Sequence, residues 1–284
     1  TMYVAGIDGI IIDLNPSSPE QKMITMKCLN ILKEMHDNYP NFSMKFIIAY
    51  DQKDQSANIY DDFKYIRDSL THNSDFSEFR FNDDNASTGF PVIITWADFN
   101  LPYFSKCIDS VYSNEILYLK RDASEFTFSD GTFEWVNYLK KNTDTTENKY
   151  WGDDYFLNQE TAMADQHKNY IPGSKRNYLF MGATWPGFDD RKAPWGEHRW
   201  ISRNVEAGET MALTFDRQIH YVPGNAGPVY ADMPWIQLVT WNDWPEGTSI
   251  EPATLDTYGF NAIKTTQKKI AEFKNKPLPD TSAV

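Results

Sequence analysis

Apolar residues in the first third of the chain recur in two alternating textures: short β-branched runs, and longer stretches at helical spacing. Ile7 to Leu14 (IDGIIIDL) is a buried-strand pattern ending in an acid. Asn15-Pro16-Ser17-Ser18-Pro19-Glu20 then supplies turn and helix-start chemistry. Gln21 to Asn38 places Met23, Met26, Leu29, Ile31, Leu32 and Met35 at helical intervals, and Tyr39-Pro40 stops the helix. Phe42 to Tyr50 predicts the next strand, followed at once by Asp51, and Ile59 to Leu70 the next amphipathic helix. Asn82 to Gly89 is polar and turn-rich, and Phe90 to Trp96 (FPVIITW) reads as a strand ending before Asp98. The rhythm is β then α.

The same alternation continues with weaker signals. Glu115 to Leu119 and the short Phe133 to Val136 are strand candidates, Lys140 to Lys149 is a charged loop, and Gln159 to Tyr170 reads as a helix. Tyr178 to Thr184 (YLFMGAT) predicts a strand with the loop Trp185 to Trp195 behind it. Gly208 to Tyr221 is a noisier helix and Val222 to Pro228 a break. Trp235 to Trp241 predicts the last strand, and Tyr258 to Lys274 a closing amphipathic helix. These seven strand-like segments stand against the eight of a (β/α)8 TIM barrel. The expectation is an α/β barrel lacking its first strand, which upstream residues would supply, since an open barrel leaves two unpaired edges. One catalytic domain over residues 1–276 and a mobile tail over 277–284 complete that reading.

Chemistry concentrates in Trp235 to Pro252, WIQLVTWNDWPEGTSIEP. A strand feeding Asn242, Asp243, Trp244, Pro245, Glu246 and Gly247 puts two carboxylates, three residues apart, at a strand's C-terminal end, where barrels keep their catalysis. A carboxylate pair among tryptophans suits acid/base work on a sugar. The alternative is a polar loop whose acids cap the next helix. Asp13, Asp51 and Asp98 each follow a predicted strand and would open on the same barrel mouth; the alternative for any of them, weightiest for Asp98, is a loop or helix-cap aspartate.

The segment Trp241 to Pro252 resembles the signature of the α-1,3-glucanase (mutanase) and endo-α-mannosidase families of glycoside hydrolases, which share an acidic, Trp-containing loop followed by Ile-Glu-Pro. Pro186-Gly187-Phe188-Asp189-Asp190, followed by Pro194-Trp195 and Arg203, resembles the substrate loop ahead of that motif in the endo-mannosidases. Ala5-Gly6-Ile7-Asp8-Gly9, running into Ile10 to Leu14, resembles an early barrel strand of both. The resemblance implies that Glu246 is the proton donor, Asp243 its partner, and the substrate an α-glucan or α-mannan. Asp13, Asp51, Trp96, Trp185, Asp190, Arg203, Trp241, Asn242 and Trp244 are the expected substrate-binding residues. In an α-mannoside the C2 hydroxyl lies trans to the leaving group, so a base can drive it onto C1; in an α-glucoside it is cis, and water or a carboxylate must attack. Asp243 stands where the mannosidases carry glutamate and agrees with the glucanase pattern, whereas the Pro-Gly-Phe-Asp-Asp block leans towards the mannosidases.

Composition narrows the alternatives. A net charge of −13 and a pI near 4.8 argue against a nucleic-acid surface, which needs clustered Lys and Arg, and leave an uncharged polysaccharide compatible. Aromatic residues make up 15% of the chain, enough to supply both core and sugar-stacking rings. Cys28 and Cys107 sit in helix-like contexts far apart, so buried free thiols are expected rather than a disulfide or a metal pair. The five histidines have no metal-ligand spacing, and no phosphate cradle or serine-hydrolase elbow is present, so neither metal nor cofactor is expected. No run is apolar enough to span a membrane, and a secreted, periplasmic or cell-surface location fits polysaccharide degradation. Two other function classes stand beside the hydrolase: a carbohydrate-binding barrel without catalysis, and a structural barrel whose tryptophans are core.

Overall fold

The computed structural model describes residues 1–52, 58–81, 89–96, 101–121, 129–136, 179–201, 209–219, 235–254 and 259–278. Strand β1 (Gly9–Leu14) leads to helix α1 (Pro19–Asn38), β2 (Lys45–Tyr50), α2 (Ile59–Tyr65) with a π-helical turn over Ile66–Thr71, β3 (Val92–Thr95), α3 (Leu101–Tyr112), β4 (Leu117–Arg121) and β5 (Gly131–Phe133). After these come β6 (Leu179–Thr184), β7 (Phe188–Asp189), β8 (Trp200–Ile201), α4 (Glu209–Ile219), β9 (Trp235–Leu238) and α5 (Asn261–Phe273). The result is a mixed α/β fold. Its seven-stranded sheet has the order β1-β2-β3-β4-β5-β6-β9, and β7-β8 is a separate ladder. The β1–β2, β2–β3, β3–β4 and β6–β9 pairings are all parallel.

The chain falls into two compact units, one of Ile7–Thr132 with Ile171–Leu179, the other of Thr1–Gly6, Phe133–Tyr170 and Phe180–Val284. In the first, register stacks Ile12, Ile48, Ile93 and Tyr118 in one row and Leu14, Tyr50, Thr95 and Lys120 in another. Strand side chains two apart share a face, and this face carries the aromatic core. The Tyr50 ring lies 4.8 Å from Phe63 of α2 and 5.9 Å from Phe104 of α3, and Phe104 lies 6.2 Å from Tyr118. The Tyr50 hydroxyl donates to Asp62 Oδ2 at 2.8 Å, so its buried polar end is satisfied. The intervening row, Asp13, Ala49, Ile94 and Leu119, lies on the opposite face.

Helix α1 starts as expected. Ser18 accepts the Gln21 N–H at 3.2 Å, Pro19 takes the first turn, and the Tyr39 N–H closes the end on Met35 O. Its buried side is Thr25, Leu29 and Leu32, whereas Met23, Ile24, Ile31 and Met35 are exposed. The apolar stripe read from the sequence is therefore wider than the face the helix buries. Helix α3 was signalled in the sequence only through the context of Cys107. Phe104, Cys107, Ile108, Val111 and Tyr112 are all buried at helical spacing. Cys107 is buried and Cys28 half-buried, both as free thiols.

In the second unit, β6 and β9 pair from Met181–Trp235 to Thr184–Leu238. Glu134 anchors them: its N–H donates to Met181 O at 2.9 Å, its carboxylate accepts the Ala183 N–H at 3.1 Å and the Gln218 amide of α4 at 2.5 Å, and Gln237 donates to its carbonyl. A buried carboxylate needs such partners, because an unsatisfied one is costly. Helix α5 is tied to the chain start by Lys274 Nζ on Gly6 O at 2.6 Å.

The expected last strand is shorter than its apolar run. β9 ends at Leu238, and Val239 to Trp241 already belong to the loop. Likewise β2 starts at Lys45 rather than Phe42. The predicted elements at Lys140 to Lys149, Gln159 to Tyr170 and Val222 to Pro228, most of Asn82 to Gly89, and the tail beyond Leu278 lie outside the described residues. No described helix is long and apolar enough to cross a membrane.

Candidate active site

Beyond β9 the backbone closes a small loop on itself. The Val239 N–H still reaches Thr184 O at 2.9 Å, the Val239–Thr240 peptide is cis, and Thr240 then exchanges backbone bonds with the far side: its N–H donates to Thr248 O at 3.0 Å, and its carbonyl accepts the Ile250 N–H at 3.1 Å. The Thr240 and Thr248 hydroxyls meet at 2.8 Å. Asp243 sits inside this closure. Its N–H donates to Thr240 Oγ1 at 3.0 Å, its carbonyl accepts the Thr248 N–H at 3.1 Å, and its Oδ1 accepts the Glu246 N–H at 2.9 Å. That last bond is the local capping geometry aspartate favours in turns. Asp243 thus caps its own turn through one oxygen rather than the next helix, and Oδ2 has no hydrogen-bond partner among the described residues.

The loop Trp185 to Ile201 meets the Asp243–Glu246 turn. It folds into a two-rung antiparallel ladder, Phe188 opposite Ile201 and Asp189 opposite Trp200. Asp190, fully buried, closes it: its carboxylate accepts the Arg199 N–H and Nε, both at 2.6 Å, and the Glu197 N–H at 3.2 Å, with Arg199 Nη2 also 2.6 Å from Oδ2. Gly196 is obligatory in this loop, because a Cβ there would lie 1.7 Å from the Asp190 carbonyl oxygen. Gly247 is similarly constrained: its φ is +64°, and a Cβ would come within 3.2 Å of the Asp189 nitrogen.

These two loops hold Glu246 from both ends. Its carbonyl accepts the Asp189 N–H at 2.7 Å, and its Oε1 accepts the Trp195 indole N–H at 3.2 Å. Burial pushes the Glu246 carboxyl above the usual glutamate range. The Trp195 N–H and the Arg199 charge oppose that rise, and the Asp243 and Asp190 charges add to it. Asp189 behaves in the opposite way: Arg191, at 2.8 and 2.7 Å, holds its carboxyl below the ordinary range. A half-buried acid with a raised pKa beside a second carboxylate is the arrangement a general acid requires.

The aromatic residues divide between core and surface. Trp185 is fully buried with Val136, Ala183, Phe188, Ile201 and Val239, so its reading as a sugar platform is corrected: the indole fills the space beneath the loop because β6 delivers it inward. Asp190 is likewise a loop clamp rather than the expected substrate-binding group: it is fully buried, with its oxygens committed to Arg199 and Glu197. Trp244 is 46% exposed, Asn242 is exposed and Trp241 half-buried. Trp244 Nε1 donates to Glu251 Oε1. Trp195, absent from the expected substrate-binding set, is 60% exposed on top of Glu246. Arg199, also not foreseen, pairs with Asp190, while Arg203 and Asp98 lie outside the described residues.

In the other unit, Asp13 is exposed on β1, Asp51 is half-buried just past β2, and Trp96 is half-buried just past β3. Asp51 donates its N–H to Leu14 O at 3.0 Å, and Arg121, at the end of β4, lies 5.7 Å from the Trp96 ring. All three predicted residues therefore sit at or near C-terminal strand ends, as their sequence positions implied.

No family model matches the chain. No curated protein and no solved structure is significantly similar to it. Function therefore rests on the chemistry of the residues themselves.

Proposed function

We propose that this protein is a glycoside hydrolase that cuts α-linked polysaccharide or oligosaccharide within the chain, on a (β/α)8-type scaffold, with Glu246 as general acid and Asp243 as its partner. One observation carries the reading: Glu246 is half-buried, its carboxyl held above the ordinary range by burial and by neighbouring Asp243, between the exposed indoles of Trp244 in its own loop and Trp195 in the adjoining one. A neutral carboxylic acid delivers a proton to the glycosidic oxygen as the C1–O bond breaks, and the carboxylate left behind favours the positive charge growing at C1. Asp243 is oriented by its bond to the Glu246 N–H, with Oδ2 available to take a proton from an attacking hydroxyl. Which hydroxyl attacks follows from the sugar: the substrate's own C2 hydroxyl in an α-mannoside, water in an α-glucoside. Trp244 and Trp195 offer exposed ring faces on which sugars stack.

Proton NMR of reactions with defined α-linked gluco- and manno-oligosaccharides tests this directly. New anomeric signals that vanish in Glu246→Gln support the reading, and the anomer first released reports the stereochemistry. Saturable glycan binding without any new reducing end would support a carbohydrate-binding barrel, a reading favoured by the capping bond that occupies Asp243 Oδ1.

A further inference from the structure

The bond from Trp195 to Glu246 has chemical content beyond proximity. An indole nitrogen is a donor only, so the oxygen it meets must offer a lone pair. Trp195 Nε1 lies 3.2 Å from Glu246 Oε1, while Oε2 has no hydrogen-bond partner among the described residues. Because a carbonyl oxygen is a stronger acceptor than a carboxylic hydroxyl, a proton taken up by Glu246 is favoured on Oε2, leaving Oε1 as the carbonyl that accepts from Trp195. We infer that Trp195 is a positioning residue that fixes which oxygen of Glu246 carries the transferable proton, and so aims the acid. This rests on the glycosidase reading for its kinetic consequences, but the hydrogen bond itself does not.

Trp195 is held for this role by the loop rather than by its own burial. Its ring is 60% exposed, yet the segment carrying it is closed by the buried Asp190–Arg199 pair, with side-chain exposures of 0% and 15%. Gly196, the next residue, permits the chain to pass against the Asp190 carbonyl. Asp189, in the same loop, holds the Glu246 backbone at 2.7 Å. The acid's main chain and side chain are therefore both referenced to one arm. The charged groups that bear on Glu246 are Asp243 from its own turn, and Asp190 and Arg199 from the arm. The Trp195 N–H favours the ionised form, so it also tempers the rise in pKa that burial produces.

Trp195→Phe keeps a ring of similar shape and removes the donor. Because the ring is exposed, the variant is expected to fold. With a cleavable oligosaccharide, kcat is expected to fall about tenfold and KM to change by less than about twofold, since orientation of the acid matters in the transition state and stacking is retained. The alkaline limb of kcat/KM is expected to move to higher pH, because the ionised carboxylate loses a donor. A merely structural role would leave that limb in place. A readout independent of turnover comes from two-dimensional spectra of protein labelled with 15N in tryptophan. The Trp195 indole resonance is expected to follow a single titration, and to lose it in Glu246→Gln. If the indole resonance titrates but no glycan is ever cleaved, the glycosidase reading fails and the Trp195–Glu246 pairing stands. If glycans are cleaved while Trp195→Phe leaves the alkaline limb unmoved and the indole does not sense Glu246, the inference is overturned.

Discussion

The strands and helices of Ile7–Thr132 and the loops around Glu246 are held by different physics. In the first region, β1 to β4 pair side by side and fill one face with Ile12, Ile48, Ile93, Tyr50 and Tyr118 against Phe63 and Phe104. Burial is the organising force there, and it is non-directional. Around Glu246 the regular elements are two-residue strands, β7 and β8, and the geometry is set by bonds from side chains to backbone: Asp190 to Arg199 and Glu197, Asp243 to Glu246, Thr240 to Asp243. Directional bonds fix atoms to within tenths of an ångström, which the proposed catalysis needs and a core does not. On that proposal, a change in the first region acts on stability, and a change in the second acts first on chemistry.

The sharpest break in that comparison is Glu246→Gln. Turnover of a cleavable α-glycan is expected to fall by about 10²–10⁴-fold, the usual range for a lost general acid, while the thermal midpoint does not drop. A midpoint falling by many degrees would make Glu246 a structural residue. Phe63→Ala is the converse case: Phe63 is fully buried between Tyr50 and Phe104, and its truncation is expected to cost about 3–5 kcal/mol by chemical denaturation. A loss below about 1 kcal/mol would mean that the aromatic face is not the core of that unit.

Asp190→Ala lies between the two. It strands a largely buried guanidinium, which typically costs about 3 kcal/mol or more. Faster hydrogen exchange over residues 190–199 and lower activity are expected together; normal exchange with lost activity would return Asp190 to the substrate side.

Opposite pH responses separate the two acids. Burial raises the folded-state pKa of Glu246, so between the ordinary glutamate value and that raised value the folded protein binds more protons than the unfolded one. Its contribution is present at low pH and is lost as pH rises through the raised value. Thermal midpoints of Glu246→Gln should therefore gain on the parent as pH increases from about 4. Arg191 lowers the pKa of Asp189, so that pair stabilises above the ordinary aspartate range and loses its effect as pH falls. Both partners are substantially exposed, at 49% and 40%, which limits the pair to below about 1 kcal/mol. Parallel pH curves for Glu246→Gln and Asp189→Asn would contradict this assignment. The smallest effect expected is from Ile31→Lys on the exposed side of α1, about 0.5 kcal/mol or less. A larger loss would show that this apolar side is covered in solution.

The sequence was legible wherever periodicity decides. Apolar runs sufficed for six of the seven strands of the sheet, for α1 with its Ser18 cap, and for the placement of Asp13, Asp51 and Trp96 at strand ends, because the side-chain periods of strand and helix are properties of the backbone; β5 falls on Gly131–Phe133 rather than the expected Phe133 to Val136. The stretch Trp235 to Pro252 likewise announced its two acids, since a β-branched run broken by Asn, Asp, Pro and Gly can only become a loop. Tertiary structure alone decided what each polar group does. Asp190 became a buried clamp and Asp189 a surface pair, although they are adjacent. Trp185 went into the core and Trp195 onto the acid, although the sequence offers the same ring at both. Sequence position fixes which residue is present at a point in the chain, but the partner of a charge or a ring is set by residues brought near only when separate segments fold together. Arg199 reaches Asp190 across nine residues, and Trp195 reaches Glu246 across fifty-one.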